Sequence, residues 1–165
     1  MCEYTAGLGI DFEISVYERI SRFCTPLHGV KSREERIDEY RDRCVSPDLS
    51  FTIGGKVFHV DCHYRYSMPK SRVELDYPGM YRFKESCFED IEDEIFVAYG
   101  AGGTPYDPEH VIFEPRSLIH GNRIPMTRFR RLEYEFDRFG FEGIIGMYLN
   151  RSIRPLWSRG AAMVC

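Results

Sequence analysis

No stretch of this chain approaches the ~18 consecutive apolar residues that a membrane-spanning helix requires. Its opening, "MCEYTAGLGIDFE", also lacks the basic-then-apolar layout of a secretory leader. Both absences lead us to expect a cytoplasmic protein with no membrane partner. The six cysteines, Cys2, Cys24, Cys44, Cys62, Cys87 and Cys165, contain no C-x-x-C pair and lie far apart. That spacing argues against a zinc ribbon, a thioredoxin-like site or a compact disulfide framework, so they read as buried free thiols. Basic charge is not in excess either: 22 Lys and Arg stand against 26 Asp and Glu, for a formal net charge of −4. Charge alone therefore gives no support for a broad nucleic-acid-binding stripe. With no internal repeat, low-complexity tract or Ser/Gly linker, residues 1–165 read as one domain.

What the chain does have is apolar and aromatic content, 43% and 15%, enough to build a core. The spacing of Ile10, Ile14, Tyr17, Ile20 and Cys24 predicts an amphipathic helix over 9–24, with Glu13 on its apolar side. Residues 32–44 begin with the capping pattern Ser32-x-x-Glu35 and carry alternating charges, as a solvated helix would. A third helix is expected over 76–93, entered at Asp76 and Pro78, with Met80, Phe83, Cys87 and Ile91 as its buried stripe. Strands follow at 94–100 and 111–115, joined by "GAGGTPYDP". That loop lacks the Gly-Lys-Ser/Thr ending of a phosphate loop and reads as a strand connection. The tail is expected to be mostly helical over 127–139, with Gly140 as a stop. Arg128, Arg130, Arg131, Arg151, Arg154 and Arg159 gather basic charge there.

Residues 47–65, "PDLSFTIGGKVFHVDCHYR", carry the chemistry. Gly54-Gly55 supplies the positive φ of a two-residue hairpin turn between "LSFTI" and "KVFHVDCHY". With Ile53 opposite Lys56, the register sets Ser50 against His59 and Asp48 against Asp61, with Cβ atoms ~4.5–5.5 Å apart. One face then carries Leu49, Phe51, Ile53, Phe58, Val60 and Cys62. The other carries Ser46, Asp48, Ser50, Thr52, His59, Asp61 and His63. Opposed aspartates repel, so something must neutralise them, and a divalent cation is the natural candidate. The bland alternative is a polar sheet face that simply meets water.

These residues resemble the Pro-Asp…(Asp/Glu)-x-Lys motif of the restriction-endonuclease-like nuclease superfamily, through Pro47-Asp48 and then Asp61-Cys62-His63. The helix with "GIDFE" is similar to that superfamily's Gly-x-x-Phe-Glu helix, and residues 94–115 look like its later strand, loop and strand. The resemblance implies an α/β fold with a central mixed β-sheet flanked by helices. It also implies hydrolysis of a nucleic-acid phosphodiester, with DNA preferred over RNA as partner, and it allows a homodimer. By the same resemblance Asp48, Asp61 and the Cys62 carbonyl hold Mg²⁺ or Mn²⁺, Glu13 supports the metal or water, and the C-terminal arginines meet phosphates.

His63 stands where the motif has lysine, and an imidazole is only partly cationic near neutrality. Three outcomes are open. His63 acts as a general acid or base; Lys70 or Lys84 folds back to supply the charge; or catalysis is lost and the scaffold serves as a nucleic-acid- or protein-binding module. A different class is a transition-metal site built on His59, Asp61 and His63, three alternate positions of "HVDCH". On the nuclease reading, Asp61→Ala is expected to remove activity and leave the fold intact.

Overall fold

The computed structural model describes residues 3–43, 45–67, 72–75, 78–125, 127, 130–131 and 141–149. Helix α1 spans Glu3–Ile20, starting earlier and ending sooner than the 9–24 expected. A turn over residues 21–24 follows, and Thr25, which precedes Pro26, is pushed out of the helical region. Thr25–Pro26 instead forms the short strand β1. Helix α2, Arg33–Arg41, follows, its start closed by the Ser32–Glu35 capping pair: Glu35 N–H donates to Ser32 Oγ at 3.2 Å, and Ser32 N–H to Glu35 Oε2 at 2.6 Å.

The hairpin forms as its pattern requires. Strands β2, Leu49–Ile53, and β3, Lys56–Arg65, pair antiparallel with Ile53 opposite Lys56 and Ser50 opposite His59. Gly54 and Gly55 turn the chain at φ 56° and 78°. After strand β4, Arg72–Glu74, and helix α3, Pro78–Phe88, strand β5, Glu94–Ala101, returns parallel to β3 with Asp61 beside Val97 and His63 beside Tyr99. Strand β6, His110–Pro115, runs back along β5. A 3-10 turn, Arg116–Leu118, and strand β7, Arg123–Pro125, come next. Strand β8, Arg130–Arg131, and helix α4, Phe141–Leu149, complete the described elements.

The result is α/β, with a six-stranded mixed sheet in the order β1-β2-β3-β5-β6-β8, flanked by helices, and a small β4-β7 sheet beside it. β5 is central and buried along nearly its whole length, as expected of a strand covered on both faces. The tail departs from its expected helix at Arg130 and Arg131, which pair with Val111 and His110 on β6. An uncovered sheet edge offers unpaired backbone donors and acceptors, and this segment meets them. Residues 132–140, Gly140 included, lie outside the described part. No helix among the described residues is long and apolar enough to cross a membrane. Cys24, Cys62 and Cys87 are free thiols.

One sheet face packs against α1 and α4 through Phe12, Val16, Ile20, Phe141 and Ile145. An aromatic row crosses it, Phe51–Phe58–Phe96–Phe113, with neighbouring centroids 5.6, 5.8 and 5.0 Å apart. The opposite face buries Val97, Tyr99 and Ala101 against Val73, Leu75 and Ile124. α3 meets this side differently from expectation. Among its described side chains Lys84 and Phe88 are the buried ones, while Met80, Phe83 and Cys87, and Ile91 beyond the helix end, are only half-buried. A lysine pointing into the molecule breaks the apolar periodicity from which the stripe was read.

Gly100 on β5 fixes how closely α1 lies on the sheet. A Cβ there would come within 2.6 Å of Phe12 Cε2 and 3.0 Å of Cζ. Phe12 adjoins Glu13, so this contact also sets where that carboxylate sits. We expect Gly100→Ala to cost roughly 1–3 kcal/mol by overpacking, read as a lower urea midpoint; an unchanged midpoint would show that the ring swings aside freely.

Candidate functional site

Asp48 lies one residue before β2, so the ladder ends at Leu49–Val60 and the two aspartates do not face each other across paired strands. Asp48 Oδ2 instead accepts the Cys62 N–H at 2.7 Å, and Oδ1 accepts from Arg36 Nη1 at 3.0 Å. Arg36 Nη2 also donates to Glu13 Oε2. One guanidinium from α2 thus bridges a carboxylate of α1 and one at the head of the hairpin. Glu13 is pushed up to about 8, first by burial and then by the charge of Asp48, which together outweigh the pull of Arg36.

Asp61 is buried, 1% exposed, and has a separate set of partners. Its Oδ1 accepts from Lys84 Nζ at 3.0 Å. Its Oδ2 accepts from Arg116 Nη1 at 2.8 Å and lies 3.0 Å from His63 Nε2. Arg116 also donates to Glu85 Oε1 at 2.7 Å and lies over the Phe88 ring at 5.1 Å. Burial alone would raise the Asp61 pKa, but Lys84, His63 and Arg116 together hold it well below the usual carboxylate range. Around Asp61 the polar hairpin face is therefore not a wet one, because Lys84 of α3 and Arg116 of the 3-10 turn close over it, while Ser46 on the same face stays exposed.

The "HVDCH" positions separate. His63 stays with Asp61 and stacks on Tyr99, with centroids 5.9 Å apart. His59 Nδ1 lies 2.8 Å from Ser50 Oγ, a hydroxyl that His28 Nε2 also approaches at 3.1 Å. The other ring nitrogen of His59 faces Asp93 Oδ2 at 3.7 Å. Burial lowers the His59 pKa, with Asp93 opposing. No three His, Cys, Asp or Glu side chains among the described residues stand close enough to hold one ion, so the transition-metal arrangement does not form.

A hard divalent cation can be held by one or two carboxylates with waters completing its shell. Glu13 and Asp48 meet that description, since they already converge on one positive group, and once Glu13 gives up its proton the two carboxylates sharing one guanidinium are a formal charge short of neutrality. The Cys62 thiol, buried between the clusters, has its pKa raised well above the usual value by burial and then by Asp48, Glu13 and Asp61. All three acids thus act on one locus, though Asp61 carries its own cations.

Of the two lysines considered for the missing charge, Lys84 reaches Asp61, while Lys70 lies outside the described residues. Arg128, Arg151, Arg154 and Arg159 lie outside them as well; Arg130 and Arg131 are placed on the sheet edge as backbone only. Sequence reading missed Arg36 and Arg116. Arg36 sits in a run of mixed charges that reads as solvated, and nothing local distinguishes it from its neighbours. Arg116 follows directly on strand "VIFEP", and its position at the end of a buried strand was the available hint.

No family model and no curated protein matches the chain. Among solved structures it is similar to Hjc, a Holliday junction resolvase from the archaeal hyperthermophile Archaeoglobus fulgidus. The TM-score is 0.46 and the identity 12%, over 75% of this chain and 91% of that one. Similarity at that level assigns no residue role.

The burial of Asp61 overturns one expectation from sequence, that its removal leaves the fold intact. Asp61→Ala strands Lys84 and Arg116 without their shared anion, at a cost of about 3–5 kcal/mol. Because the folded pKa is depressed, this stabilisation is complete above the ~3.9 of an unfolded aspartate and fades as pH falls toward the lower folded value. The gap in urea stability between wild type and Asp61→Asn should accordingly narrow below about pH 4. A gap that is constant with pH would show that Asp61 is not held as an anion.

Proposed function

We propose that the chain is a restriction-endonuclease-like nuclease that hydrolyses a nucleic-acid phosphodiester, with DNA as the preferred substrate, and that Lys84 takes the place of the motif lysine. The observation that carries this reading is the 3.0 Å contact between Lys84 Nζ and Asp61. The motif needs a fixed positive charge beside its second acid, and α3 delivers one where β3 offers only an imidazole. The order of elements supports it: a helix bearing Glu13, then a hairpin opened by Pro47-Asp48, then a crossover helix and a parallel strand.

Glu13 and Asp48, with the Cys62 carbonyl, would hold magnesium or manganese, and Asp61, the second acid of the motif, would stand beside that ion with its own cations. When bound, such an ion supplies a more acidic water and a counter-charge to the phosphate. The chain's own residues do the rest. Lys84 places its ammonium where negative charge grows on the reacting phosphate, a role best filled by a preorganised group that needs no reorganisation. Arg116 and Glu85 hold Asp61 in orientation, and His63, stacked on Tyr99, limits its rotation. Arg128, Arg130, Arg131, Arg151 and Arg154 are assigned to phosphate contacts along the substrate, on the grounds of charge alone. A second reading, a nuclease fold without turnover that binds nucleic acid or protein, is favoured by one observation: every carboxylate of the site already has a protein cation beside it.

Cleavage of single- and double-stranded DNA and RNA in Mg²⁺ or Mn²⁺ separates these readings. Lys84→Met should lower the rate about a hundredfold or more, with the far-ultraviolet dichroism unchanged, and His63→Gln should keep most of it. A Lys84→Met protein that cleaves like wild type refutes the lysine assignment. A wild type inert on all four substrates supports the module without turnover.

A further inference from the structure

We infer that Arg36 is a built-in occupant of the cation position between Glu13 and Asp48, and that helix α2, which carries it, is a detachable arm that leaves when a divalent ion enters. This rests on the nuclease reading of the site and goes beyond it, because it makes metal loading conditional on a movement of the chain itself.

Three features carry the inference. First, the bridge is a single side chain joining two carboxylates from separate elements, and all its hydrogen bonds to them come from the two terminal nitrogens, Nη1 and Nη2. Replacing this one positive charge with a dication, with release of the Glu13 proton, would balance both acids at once. Second, Arg36 approaches from the solvent side: its side chain is 20% exposed, against 13% for Asp48 and 6% for Glu13. Its departure opens the pair to water rather than to the core.

Third, α2 is built to move as a unit. Its capping pair closes its own N-terminus, so the turn does not depend on the body of the protein. Most of its residues, including Ile37 at 48%, are exposed. Among the described side chains, a small polar clasp also ties it down: Lys31 Nζ donates to Glu39 Oε1 at 2.7 Å and to the Ser46 carbonyl at 3.0 Å, and Ser46 Oγ donates to Glu39 Oε1 at 2.6 Å. Partly exposed ion pairs of this kind are weak and exchangeable.

The test titrates Mn²⁺ into the full-length protein by calorimetry. Arg36→Gln should bind at least about tenfold more tightly than wild type, since no guanidinium has to be displaced. Adding Asp48→Asn to that variant should abolish the gain. Glu39→Gln, which loosens the clasp and leaves Arg36, Glu13 and Asp48 in place, should tighten binding several-fold and keeps the question answerable if Arg36→Gln folds poorly. In wild type, Mn²⁺ should speed amide exchange across residues 33–41. Equal affinities for wild type and both variants, with exchange in α2 unchanged, overturn the inference; if metal-dependent cleavage persists in that case, the nuclease reading stands without it. Absence of Mn²⁺ binding by any of these proteins, together with absence of cleavage, removes both.

Discussion

A carboxylate taken fully out of water is tolerable only when positive groups and hydrogen bonds replace the solvent, and Asp61 meets that condition with three partners from three parts of the chain. The lysine comes from the crossover helix, the arginine from the turn after β6, and the imidazole from the same strand two residues on. Each partner is thereby fixed relative to β3. The buried face of α3 follows from this: it presents Lys84 and Phe88, and Arg116 lies over that same phenylalanine ring while reaching Asp61 and Glu85. The polar cluster sets the orientation of the helix, and the apolar contacts fill in around it.

The Glu13–Asp48 pair is the opposite electrostatic case. Asp61 has more positive neighbours than it needs, whereas these two acids have a single guanidinium between them. Cys62 separates the two regions. Its N–H steadies Asp48, and its thiol, surrounded by acids and buried, stays protonated and inert. On the proposed reading, the Glu13–Asp48 side, with fewer positive neighbours than Asp61 has, is the one that takes an incoming cation.

The hairpin was legible in sequence from its turn to Leu49–Val60, though not at the Asp48–Asp61 end, because a strict alternation of side chains and a glycine pair with positive φ leave only one register that buries Leu49, Phe51, Phe58 and Val60. The mixed sheet was expected from the family resemblance and not from periodicity, and its strand order was not read, because nothing local in a nearly continuous apolar strand such as β5 says which neighbours cover it. The site was legible only in its acids. Its cations come from α2, α3 and the turn at 116, and long-range ion pairing has no period to read. Arg36 therefore looked like one charge among many, and Lys84 was only one of two lysines, with Lys70, that could supply the missing charge. The short strands β1, β4, β7 and β8 were invisible because two or three residues are too few to show alternation.

The parallel pairing of β3 with β5 has a consequence for biosynthesis. A hairpin closed by two glycines can form as soon as it leaves the ribosome, but a parallel neighbour needs the whole intervening crossover before it can dock. A nascent chain that has emerged only through residue 75 holds Asp61 in its hairpin with neither Lys84 nor Arg116 yet outside the ribosome. Until translation passes residue 116, that acid remains hydrated and the strand bearing it stays at an open edge, which gives the earlier half of the chain its longest exposure to aggregation and chaperones.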